Sequence, residues 1–341
     1  MAPHRFALSL SLLLCAACSS PDEPEGEAPP PTWVAEQDEL PGALLSVWGT
    51  SASDVWAVGA DDGTGPTVLH LDSSGWSRLP TGETGDLWWV FGFADGPVFM
   101  GGAGGLILRY EAGTFTRLET PASGVVFGIW GSSPEAMWAV GGEAGGARGA
   151  FAWQLQGERW LAAPGFPGEL SATDALWKVF GRGADDVWMV GTGGKLLHWD
   201  GESFTPSFVG RAESLFTVHG NGARFAAVGG FGTGLLMEHP SDAPADAPWQ
   251  DVSPAGAPSL IGVCLTERGG YAVGEFGYVA AHGASGWATE VTGLEVLVGS
   301  RNLHSVWIDE RGGVWAAGGQ VRVPPLENGI LLHREPAPVV P

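Results

Sequence analysis

Three histidines, His70, His198 and His333, sit at corresponding places in the apolar phrases "VLHLD", "KLLHW" and "ILLHR". Histidines in register are candidate zinc ligands, but zinc needs three or four donors converging about 2 Å from one ion. Equivalent positions in successive repeats are spread apart, so these side chains read as structural. Cys264 falls in a column otherwise filled by Trp48, Phe91, Trp130, Phe180, His219 and Trp307, and reads as a buried thiol rather than a nucleophile. The 38 acids permit many pairs, yet none stands apart from the turns as the acid and base of a glycoside hydrolase. A sialidase-like site would need an arginine cluster, an acid and an activated tyrosine. The chain has three tyrosines, Tyr110, Tyr271 and Tyr278, and Tyr271 aligns with the core Trp56. "GTGGKLLH", Gly191 to His198, lacks the spacing and the Ser or Thr of a phosphate loop and reads as a hairpin. The acids in "SASD" and its counterparts, Asp54, Glu135 and Asp186, are scattered and do not follow an EF-hand, so they read as turn ties together with Ser51 and Ser53. No catalytic residue, metal site or cofactor is expected.

These residues sit in a repeated frame. An apolar run recurs at Val47, Val90, Ile129, Val179, Val218, Val263 and Val306. A second run ends at Gly59, Gly102, Gly141, Gly191, Gly229, Gly274 and Gly318, with spacings of 43, 39, 50, 38, 45 and 44 residues. Seven units averaging about 43 residues suit four-stranded propeller blades. A third apolar run follows each glycine, and a fourth starts at Trp76, Phe115, Trp160, Phe204, Trp249 and Trp287. Short runs of valine, leucine and aromatics broken by Gly, Asp and Ser signal strands and turns. No helix of appreciable length is expected beyond the N-terminal leader. The run "VWAVG" is apolar on both faces, which suits a strand packed between neighbouring blades. Its glycine allows close backbone approach.

The seventh unit lacks its fourth run, because "ILLHREP" is followed only by "APVVP". Trp33 precedes Val47 by 14 residues, the interval separating Trp76 from Val90, Phe115 from Ile129, Phe204 from Val218 and Trp249 from Val263. Residues near Thr32 to Gln37 are therefore expected to supply the outer strand of the last blade. The predicted fold is all-β, a seven-bladed propeller of four-stranded antiparallel blades closed by its N-terminal strand.

The leader "MAPHRFALSLSLLLCAACSS" has one basic residue, a short apolar run and then small residues, the pattern of a secretory signal. Its end resembles the lipobox of bacterial lipoproteins, with Cys15, Ala16 and Ala17 before Cys18, and Leu14 one place earlier than that family's usual leucine. The resemblance implies acylation of Cys18, and Ser19 after it resembles outer-membrane sorting in Gram-negative lipoproteins. "SSPDEPEGEAPPP" cannot bury enough apolar surface to order itself and reads as an extended tether. Residues 1–17 are thus read as signal peptide, 18–31 as lipidated cysteine and tether, 32–335 as propeller and 336–341 as a tail. With Cys15 removed and Cys18 acylated, Cys264 is left without a disulfide partner, so the core must supply the stability. A net charge of −22 repels phosphate backbones and argues against nucleic acid, leaving acyl chains as the contact with the bilayer.

The phrase "GTSASDVWAVG" followed by "LHLDSSGW", returning as "GRGADDVWMVG" and "LLHWDGESF", resembles the Trp- and Gly-rich propeller repeats of myxobacterial lipoproteins. More distantly it resembles bacterial neuraminidase (Asp-box) repeats, although Ser51 and Asp54 are three apart instead of two and Val55 replaces the expected glycine. Such propellers include enzymes, assembly factors and binding proteins, so the repeat does not select a function. Loops that depart from the minimal repeat are better candidates. "ADDGTGPT" (60–67), "GEAGGARG" (142–149) and "QVRVPPLENG" (320–329) should share one rim; "HPSDAPADAP" (239–248) should emerge on the other, and 161–175 joins blades on the first. Asp61, Asp62, Glu143, Arg148, Arg322 and Glu327 are the expected polar contacts. The sequence reading is a monomeric, lipid-anchored, noncatalytic module binding an envelope protein or glycan; the alternative is an envelope glycoside hydrolase or lyase.

Overall fold

The structure, a computed structural model, describes residues 32–143, 149–168, 170 and 174–336. Seven four-stranded antiparallel sheets follow one another. Their inner strands are Leu44–Ser51, Leu87–Gly92, Val125–Ser133, Leu176–Gly183, Leu215–Gly220, Leu260–Thr266 and Asn302–Ile308. Each packs against the inner strands on either side, and Leu44–Ser51 meets Asn302–Ile308 to close the ring. In six blades the order is sequential; in the seventh, Trp33–Gly42 pairs antiparallel with Glu327–Arg334 as the outer strand. This is the expected closure, but the strand runs to Gly42, beyond the expected Gln37. Two register irregularities, with Glu39 at φ 56°, let it continue to the start of blade 1. Among the described residues helix is confined to single turns, chiefly Glu295–Val298 between blades 6 and 7.

Strand alternation sends the repeat's apolar residues into two interfaces at once. Trp56 and Val58 pack with Val90, Met100 and Leu108 of blade 2, whereas Val55 and Ala57 pack with Trp315, Ala317 and Leu331 of blade 7. The closing strand is fastened by Trp33, which is buried and whose Nε1 donates to Glu290 Oε1 at 2.7 Å. Glu290 also accepts from Tyr271 Oη at 3.2 Å and pairs with Arg334 at 2.9 Å. Tyr271, expected in the core, is half-buried and turns its hydroxyl to that carboxylate.

The repeat's histidines belong to this frame. His70, His198 and His333 lie against Trp56, Trp188 and Trp315 of their own blades, with ring centroids 3.8, 4.5 and 3.9 Å apart. His70 meets Asp54 at 2.7 Å and His198 meets Asp186 at 2.9 Å. Serine and acid divide the work expected of both: Ser51 and Ser133 accept turn amides, while Asp54 and Asp186 bind side chains of their own blades.

Candidate functional site

Every inner strand carries a bulge at the same place. In blade 1, Leu44 pairs with Gly59 and Ser46 with Val58, leaving Leu45 as the extra residue. The other six are Trp88, Phe127, Trp177, Phe216, Ile261 and His304. A bulge re-aims the side chain it frees. Here it also explains the repeat glycine. A Cβ on any of Gly59, Gly102, Gly141, Gly191, Gly229, Gly274 or Gly318 would lie under 3.0 Å from a carbonyl oxygen at the start of the inner strand.

Six of these seven bulge residues line a cavity of about 260 Å³. Leu45 is fully buried beneath Val321, Leu326 and Trp88. The aromatic rings meet in sequence around the wall: His304–Trp88 at 5.8 Å, Trp88–Phe127 at 5.2 Å, Phe127–Trp177 at 4.7 Å and Trp177–Phe216 at 6.2 Å. The mouth carries Phe231, 60% exposed, and Arg322, whose guanidinium lies 5.5 Å over the Phe231 ring and pairs with the buried carboxylate of Glu275. Both mouth residues belong to connections between second and third strands, and Ser259 joins them from the connection between blades 5 and 6. Of these, Arg322 lies on 320–329, one of the loops expected on the first rim.

The residue after each bulge faces a neighbouring blade. Ser46 and Ser305 accept the amides of Val90 and Val47, and Thr217 Oγ1 donates to the Ile261 carbonyl at 2.7 Å. Gly128 and Gly262 leave room for the backbones of Lys178 and Ser305. Lys178 is the charged member of this column. It is 4% exposed, its Nζ donates to the Phe127 carbonyl at 2.8 Å and sits 4.5 Å from the Trp89 ring centroid. Burial disfavours the ammonium and pushes its pKa down to about 7. His304 contacts the Leu45 carbonyl through Nδ1; burial, then the Lys178 charge, push it down to about 3. Trp177 Nε1 is buried without a hydrogen-bond partner among the described residues.

Of the residues singled out in the sequence, Arg322 reaches this cavity. Asp61 accepts the amides of Gly63, Gly65 and Gly85, which hold its carboxyl below the usual range. Asp62 takes Arg78 at 2.6 Å and is held lower still by that guanidinium. Glu143 lies half-buried just past the second strand of blade 3, and Glu327 opens the third strand of blade 7 opposite Gln320 and Gly42. Arg148 and Cys18 lie outside the described residues. Cys264 is buried, its thiol pushed up to about 12. Among the described residues no group of three His, Cys, Asp or Glu could hold a metal ion. Sequence reasoning missed Trp88, Trp177, Lys178 and His304. For Trp88, Trp177 and His304 the available signal was a large side chain two places before the repeat valine, present in all seven units.

No family model and no curated protein matches the sequence. Solved structures share the fold. YCF48 from Cyanidioschyzon merolae superposes with a TM-score of 0.65 at 13% identity, over 89% of this chain and 98% of that one. YCF48 bound to D1 peptide gives 0.63 at 14% identity, over 89% and 96%. The WD40 propeller domain of Doa1 gives 0.62 at 11%, over 88% and 96%. At these identities the likeness is one of fold.

Proposed function

We propose that this chain is a noncatalytic recognition propeller, tethered to the cell envelope through acylated Cys18, that binds a protein partner across the loop-bearing rim. The partner seats an apolar side chain in the axial cavity. The observation that carries this reading is the wall of bulge residues, an aromatic ring around the axis opening on the rim beside Phe231 and Arg322. Concave, mostly apolar sites with a few placed polar groups are the usual form of a ligand pocket. No Asp, Glu, Asn or Gln lines the cavity among the described residues, so a two-carboxylate glycosidase would find neither acid nor base there. The same gap leaves sugar hydroxyls without a carboxylate or amide acceptor among the described lining residues, which favours a protein segment over a glycan. YCF48, of the same fold, has been solved bound to D1 peptide. The envelope location rests on the leader, the acidic tether and the resemblance to myxobacterial lipoproteins, with Ser19 favouring the outer membrane.

Pull-downs from envelope extracts with the native chain should recover a saturable partner that Trp88→Ala and Phe216→Ala release. Product release from an envelope glycan by the native chain would instead establish the carbohydrate-active alternative. Radiolabelled palmitate should enter the wild type and be absent from Cys18→Ala; surviving label would remove the anchor.

A further inference from the structure

The cavity is unevenly equipped. Its walls are apolar and aromatic, yet they hold a buried cation that no carboxylate pairs with. Lys178 presents an ammonium with three N–H groups. Among the described residues its one hydrogen-bond acceptor is the Phe127 carbonyl, and no carboxylate pairs with it. The other lining cation, Arg322, is already neutralised by Glu275. Trp177 adds an unused donor, its buried Nε1. Thr217 has already turned its hydroxyl proton to the Ile261 carbonyl.

We propose that the group the partner seats in the axial cavity is an aromatic ring with a short carboxylate arm, the carboxylate pairing with Lys178 Nζ and the ring lying among Trp88, Phe127 and Phe216. This deepens the recognition reading above and rests on the same cavity. A charge-assisted hydrogen bond from a desolvated ammonium is about twice as strong as a neutral one. A monoanion matches the single unneutralised cation, whereas a phosphate dianion would bring excess charge into aromatic walls and meet a desolvation penalty. Size agrees as well: an apolar cavity of about 150 Å³ accepts benzene, and about 260 Å³ leaves room for a ring with a short acid arm.

The bound anion also changes the protonation of its partner. In the free protein burial holds Lys178 near a pKa of about 7, so above that pH much of it is neutral, and a carboxylate drives it back to the ammonium by taking up a proton. The groups facing Lys178 are His304 from blade 7 and Arg322 at the mouth. His304 stays neutral down to about pH 3, and Arg322 is held by Glu275, so neither supplies this uptake.

The test is titration calorimetry of the purified full-length chain at pH 8 with 3-phenylpropionate and with its neutral amide, in two buffers of different ionisation heat. The acid should bind about tenfold or more tightly than the amide, with net proton uptake. Lys178→Met should bring the two probes to equal affinity and abolish the uptake, while Trp88→Ala weakens both probes alike. Equal affinity of the native chain for both probes overturns the carboxylate assignment but leaves a working cavity. The comparison on the native chain decides this even if Lys178→Met does not fold. Failure of both probes to bind overturns the assignment outright. If Trp88→Ala also still captures the envelope partner, the seating of that partner in the cavity falls with it.

Discussion

Two columns of large side chains circle the inner strands, three positions apart, and they do opposite things. Trp48, Phe91, Trp130, Phe180, His219, Cys264 and Trp307 form one; Leu45, Trp88, Phe127, Trp177, Phe216, Ile261 and His304 form the other. In the first column the neighbouring blade makes space. A Cβ on Gly49, Gly92 or Gly181 would collide with Trp307, Trp48 or Trp130 respectively. Where the column residue shrinks, the glycine is replaced: His219 faces Leu265, whose amide donates to it at 3.1 Å, and Cys264 packs with Ile308. Volume is conserved across the blade interface, as a close-packed core requires. The second column has no such counterpart. Its residues are freed from the ladder by bulges, point to the axis and enclose a space. Aromatic content alone therefore does not separate packing from recognition; the presence of a compensating small residue on the next blade does.

The largest effect expected from this contrast is on stability. Trp130→Ala, at a 7% exposed position, should cost about 3–5 kcal/mol by urea denaturation. Trp88→Ala, half-buried at the cavity, should cost less than half of that; equal losses would erase the distinction between the columns. Lys178→Met should raise stability, and by an amount that depends on pH. The unfolded chain keeps the lysine proton to about pH 10.5, while the folded chain releases it near pH 7. Unfolding therefore takes up a proton between these values, and wild-type stability climbs with pH across that window. The gain from Lys178→Met should be on the order of a few kcal/mol at pH 6 and should fade toward pH 10.5. A gain that ignores pH would show that the amine is not desolvated. Separately, His219 and His304 have pKa values lowered to about 4 and 3, so wild-type stability should fall as pH drops below 6.5 through those values.

A smaller effect tests the volume rule directly. His219→Phe should overpack against Leu265 by about 1–3 kcal/mol, and Leu265→Gly should destabilise on its own. Together they recreate the aromatic and glycine pairing of the other blades, so a double-mutant cycle should return a favourable coupling of about 1–3 kcal/mol. Simple additivity would break the rule. The smallest structural effect belongs to Phe231→Ala at the exposed mouth, within about 0.5 kcal/mol of wild type by thermal melting, with weakened partner capture as its signature.

Much of the frame was legible beforehand because it repeats. The period of the glycines gave the blade count, and the Trp33 interval placed the closing strand. The site was less legible. Asp61 and Asp62 drew attention as acids on an inserted loop, and the structure shows their carboxylates held by backbone amides and by Arg78. Lys178 is a lone polar residue in an apolar run and carries no sequence signal, since a residue's distance from a symmetry axis leaves no mark on local spacing.

The division follows from range. Strand order, blade number, the glycine at the end of each second strand and the apolar two-faced strands are set by neighbours within one repeat, so the chain alone determined them. Which side chains enclose the axis was decided by closure of all seven blades, because residues from blades 2 to 7, far apart in sequence, share that cavity only when the ring is complete. The same closure desolvates Lys178, and so turned an ordinary surface-type residue into the one unneutralised cation of an aromatic pocket.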